Sequence, residues 1–89
     1  MDLYQETKDA LSVAEQCYPI LAGHGPTIQG AALCELVARH LAGHVVLGDA
    51  AATAEMRRNL LAAFIQTVEA LVPVVDESVI QPELNRRTQ

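Results

Sequence analysis

The 89 residues carry eleven acidic side chains against six basic ones, a net charge of −5. That balance repels phosphate backbones at long range and gives no support to nucleic-acid binding, so no nucleic-acid partner is expected. At 51% hydrophobic and 19% charged residues, the composition is that of one folded domain and excludes a disordered chain.

The first helix begins at Asp2. An Asp N-cap with Gln5 three positions on resembles a capping box. Leu3, Tyr4, Leu11, Ala14 and Tyr18 then recur at helical spacing. Pro19 ends or kinks this helix, because it lacks an N–H and crowds the preceding turn. Gly23 is the stop.

Gly23-His24-Gly25-Pro26 is a turn, and Pro26 suits the first position of the next helix. That second helix runs from 26 to 42. Gln29, Leu33, Leu36, Val37, His40 and Leu41 share one face, and Cys34, Leu41 and Val45 add a second apolar flank. Glu35 and Arg39 lie opposite at i,i+4 spacing, a pair worth ~0.3–0.5 kcal/mol on a surface.

Leu21-Ala22-Gly23-His24 recurs as Leu41-Ala42-Gly43-His44. Both copies read as helix ends, with a left-handed glycine and a histidine near the last carbonyls. Val45, Val46 and Leu47 follow as a short connection, packed under the loop.

Asp49 caps the third and longest helix, which Ala50, Ala51 and Ala52 start. Met56, Leu60, Phe64, Val68 and Leu71 form one row, and Leu61, Ile65 and Val72 a second beside it. So wide an apolar arc implies more than one packing neighbour. Pro73 ends or kinks this helix, Asp76 caps a short fourth, and Pro82 stops it. Residues 1–82 are read as one domain and 83–89 as a loosely ordered polar tail.

Chemistry is sparse in this chain. His40 and His44 are i,i+4, the spacing of many metal sites, but a zinc site takes three or four ligands, and no His-Glu-x-x-His is formed because position 41 is leucine. They read as a half-buried core histidine and a helix-end histidine. The glycine-rich run before the second helix has neither the preceding strand nor the lysine of a phosphate-binding loop. Ser12 and Ser78 sit in no nucleophile elbow. Cys17 and Cys34 read as reduced, packed, inert thiols. Arg57-Arg58 and Arg86-Arg87 are too short for a basic patch and read as solvated surface. No catalytic residue, metal or cofactor is assigned.

The longest apolar reach, from about 30 to 52, is broken by Glu35, Arg39, two histidines and Asp49, so no membrane partner is expected. The acidic N-terminus has no basic signal-peptide region, and the expected compartment is the cytoplasm.

The fold class follows: all-α, a small antiparallel three-helix bundle with a short C-terminal helix or kinked extension. Fourteen alanines and only Tyr4, Tyr18 and Phe64 as aromatics make a thin core. Burial at ~25 cal/mol per Å² then barely offsets ~1.5 kcal/mol of ordering entropy per residue. A homodimer supplies the missing burial, through an association surface of Cys34, Leu41, Val45, Leu61, Ile65 and Val72. The functional expectation is a non-catalytic interaction or regulatory module. Its rival is a metal- or small-ligand-binding bundle using His40 and His44.

Overall fold

The computed structural model describes residues 2–88 and is all-α, with no strand among them. The helices are α1 (Leu3–Ala22), α2 (Pro26–Ala42), α3 (Ala50–Val75) and α4 (Gln81–Arg87), with a π-helical turn, Asp76–Ile80, between the last two. The chain divides into two units, residues 1–39 and 40–89; the single domain read over 1–82 crosses that division.

In the first unit, Asp2 caps α1 by accepting the Tyr4 N–H at 3.0 Å. The reciprocal half of the capping box is not made. Gln5 turns forward instead and donates to Asp9 at 2.9 Å. Pro19 does not end the helix, which runs on to Ala22. A proline removes one donor, and the bonds on either side carry the backbone past it. Gly23 closes α1 with φ −74°, in the right-handed region. Here the expectation of a left-handed stop was wrong. Among the described residues only Gly48 has a positive φ, 77°. At the start of α2 the Gln29 N–H reaches the Gly25 carbonyl at 3.0 Å. Glu35 and Arg39 make the expected pair at 3.1 Å on its exposed side.

In the second unit, Asp49 caps α3 as expected, accepting from the Ala52 N–H at 2.9 Å. The connection before it does not tuck its apolar residues under the loop. Val45 and Val46 are exposed, and Leu47 is 91% exposed. A tight turn, with the Asp49 N–H on the Val46 carbonyl at 3.1 Å, points them outward.

Pro73 is also carried inside its helix, so α3, the π turn and α4 make one helical path from Ala50 to Arg87, 38 residues long. Pro82 does not stop it; it stands in the first turn of α4. In an α-helix the Pro82 ring would press on the Ser78 carbonyl, and its missing N–H would leave that carbonyl without a donor. The wider turn just before it, with the Gln81 N–H reaching the Asp76 carbonyl, relieves that clash. Asp76 caps no fourth helix; its carboxylate accepts from the Gln81 amide at 3.2 Å. Residues 83–87 of the polar tail are helical, and Glu83 pairs with Arg86 and, at 3.3 Å, with Arg87.

No apolar side chain is buried among the described residues. Thr53, at 8% exposure, is the only buried residue among them.

Candidate functional site

Thr53 and Arg57 are one turn apart on α3, and both serve the connection that precedes it. The Thr53 hydroxyl accepts from the Val46 N–H at 2.9 Å and lies within bonding distance of the Val46 and Asp49 carbonyls, at 3.2 and 2.9 Å. Arg57 donates to the Ala42 carbonyl at 2.8 Å and to the His44 carbonyl at 3.1 Å. Those carbonyls lie at the C-terminal end of α2, where backbone acceptors lack intrahelical donors and the dipole favours a cation. Arg57 is therefore a helix cap contributed by the following helix, not the solvated surface charge that the Arg57-Arg58 dipeptide implied.

The same end of α2 holds the histidine pair. His44 Nδ1 is 2.8 Å from the His40 carbonyl, and the rings meet edge to face with centroids 4.9 Å apart. His44 stands at the helix end, as the sequence reading had it, and is half-buried. His40 is exposed and not a core residue. With Nδ1 bonded to a carbonyl, His44 keeps Nε2 for a ligand, an arrangement common in metal sites. No group of three or more metal-ligating side chains occurs among the described residues. Cys17 and Cys34 are both exposed, contrary to the packed thiols expected.

Beyond this connection, the rest of its own unit leaves the apolar face of α3 uncovered. Met56, Arg57 and Leu60 are half-buried, and every residue from Leu61 to Val75 is exposed. Both rows share this fate. Phe64 and Val68 of the first are as open as Leu61 and Ile65 of the second, and Val72 reaches 61%. The sequence reading gave one row to the chain's own core; within this unit neither is covered. Of the other expected surface residues, Val45 is exposed and Leu41 half-buried in this unit, and Cys34 is exposed in the first.

Where α3 meets the π turn, the face deepens into a groove of about 450 Å³ lined by Val68, Leu71, Val72, Val75, Asp76 and Ile80. Asp76 is its one charged residue. The π turn shapes it. A turn of i→i+5 bonds brings Ile80 back toward the line of Val75, which an α-helical turn would rotate away. Neither Thr53 nor the groove was read from the sequence. The signal available for the first was Asp49, Thr53 and Arg57 at intervals of four, directly after a connection whose carbonyls need donors.

One further property of this helical path was missed. It contains an 18-residue window of mean hydropathy 1.4 with at most two charged residues, long and apolar enough to cross a bilayer by length and composition alone. The apolar reach expected near 30–52 is not the one that meets this test. No known protein family, curated protein or solved structure matches the chain.

Proposed function

We propose that this chain is a cytosolic, non-catalytic association module, whose helices complete an antiparallel bundle by joining a second copy of the chain. The observation that carries this reading is the open face of α3. Five residues at alternating spacings of three and four (Leu61, Phe64, Val68, Leu71 and Val75) stand exposed in the second unit. That is the repeat of a helix-pairing seam. A continuous apolar face of this kind marks an interaction surface. The role is regulatory or architectural: the module brings two copies, and whatever each carries, together.

Lipid is a weaker candidate for the cover. Gln66 and Glu69 lie within the apolar stretch, and a polar or charged group in the hydrocarbon region is costly. The metal-binding rival rests on the free Nε2 of His44 and the adjacent His40, two ligands where a zinc site takes three or four.

Sedimentation velocity across a micromolar concentration series is the test, run with and without lipid vesicles. A dimer in buffer supports the proposal. A folded monomer at every concentration overturns it, and so does a chain recovered only with vesicles. Metal analysis of the same sample, with His40→Ala beside it, tests the rival; near-stoichiometric metal lost in the variant would favour it.

A further inference from the structure

The face of α3 is edged by charge on one side only. At ~100° per residue, Arg58 and Asp76 project at the same angle around the axis, and Glu69 lies about 20° further round. The other edge consists of Met56, Ala63, Ala70 and Val74 and carries no charge. Neither Arg58 nor Asp76 has a salt-bridge partner among the described residues. The two lie 18 positions apart, five turns and about 27 Å of helix.

This asymmetry distinguishes the two ways in which identical helices can pair. Face to face and parallel, the charged edge of one copy meets the uncharged edge of the other. Face to face and antiparallel, charged edge meets charged edge with the ends exchanged, so Arg58 of one copy stands over Asp76 of the other at both ends of the edge, while the two Glu69 side chains approach each other at its middle and oppose part of that gain. We propose that α3 pairs with α3 of a second copy in the antiparallel sense, about a two-fold axis near Thr67, with Arg58 of each copy bonded to Asp76 of the partner subunit. The proposal rests on the self-association argued above and specifies its geometry.

The groove agrees with this register. An axis at Thr67 exchanges position 74 with position 60. The partner's Leu60 and Leu61 therefore face the hollow between Val68 and Ile80, and Asp76 lies at its rim. The anchor and the ion pair are adjacent, and two-fold symmetry makes both twice. A charge at the edge of a desolvated seam fixes partner and orientation more than it adds affinity.

Two experiments test the geometry on the full-length chain. The first uses Cys17→Ser, Cys34→Ser protein carrying either Arg58→Cys or Asp76→Cys. Mixed under mild oxidation, the two variants should form a disulfide-linked heterodimer, and neither should link to itself, since like positions would stand about 27 Å apart. Self-linking of either variant, or an intact dimer with no link in the mixture, overturns the antiparallel geometry and leaves self-association standing. Monomeric sedimentation of the unmodified chain removes both. The second experiment is a charge exchange. Arg58→Glu and Asp76→Lys should each raise the dimer dissociation constant about ten-fold, and the double variant should restore it to within roughly three-fold of the original. A double variant no tighter than the singles overturns the pairing. Helix content by circular dichroism should be unchanged throughout, because both side chains are exposed.

Discussion

The Arg57 guanidinium donates to the main-chain oxygen of His44, 13 positions earlier, at 3.1 Å. The link is structural: it satisfies the end of one helix from the body of the next. Replacing Arg57 with alanine removes two charge-assisted bonds to carbonyls that have few other donors. The expected cost is about 2 kcal/mol, and Arg57→Lys should recover only part of it, since an ammonium group lacks the fork that spans the Ala42 and His44 oxygens. Thermal or denaturant unfolding followed by circular dichroism at fixed protein concentration measures the difference.

Thr53→Val keeps the shape of the side chain and removes the hydroxyl. The Val46 N–H then has no acceptor, and the expected loss is about 1–3 kcal/mol. Thr53→Ser retains the bond and should cost less. Amide hydrogen exchange separates the two, since protection at Val46 should fall sharply in Thr53→Val and only slightly in Thr53→Ser.

Two glycines should respond to alanine with opposite sign. Gly48 has φ 77°, where a side chain is strained, and Gly48→Ala should destabilise by about 1 kcal/mol even though nothing lies within 4 Å of the added carbon. Gly30 lies inside α2, also with nothing within 4 Å, and Gly30→Ala should stabilise by up to about 1 kcal/mol. Paired melting curves check both; a loss at Gly30 would mean that its open side is needed for packing.

Acid should loosen the end of α4. The hydrogen bond from Arg86 is the main cause that holds the Glu83 carboxyl below its ordinary value; desolvation opposes it, and the hydrogen bond and charge of Arg87 lower the value further. A carboxylate whose folded value is lowered stabilises the fold above its unfolded value, and that contribution is lost as pH falls through the folded one. Side-chain carboxyl shifts followed by NMR should show Glu83 titrating below the ordinary glutamate value, with the amides of Glu83 to Thr88 losing helical character in the same acid window. Arg86→Gln should move Glu83 back up.

The helices were legible in the sequence because their signals are local. Asp2, Pro26 and Asp49 mark their starts, and the 3.6-residue recurrence of Leu, Val and Ile marks their bodies. The prolines misled for the same reason. Pro73 is read as a stop or a kink and Pro82 as a stop from their own chemistry, whereas a helix with sound bonds on both sides carries the first and a widened turn accommodates the second. The Thr53 and Arg57 bonds were hidden because their partners lie 7 to 15 positions away, beyond any periodic pattern. The apolar excess on α3 was plain from the residues. Its edge asymmetry becomes meaningful only once the helix is known to run unbroken from Arg58 past Asp76.

Asp49, Thr53 and Arg57 hold the connection entirely with polar bonds, independent of any oily interior. Hydrogen bonds of this kind do not fade on cooling as apolar cohesion does, so the segment from Ala42 to Arg57 should keep its form at low temperature and at high dilution. A newly synthesised chain would thus meet its counterpart with that segment already shaped. Encounter, rather than loop ordering, would then set the pace of joining, and rapid-mixing traces should scale with the square of chain concentration.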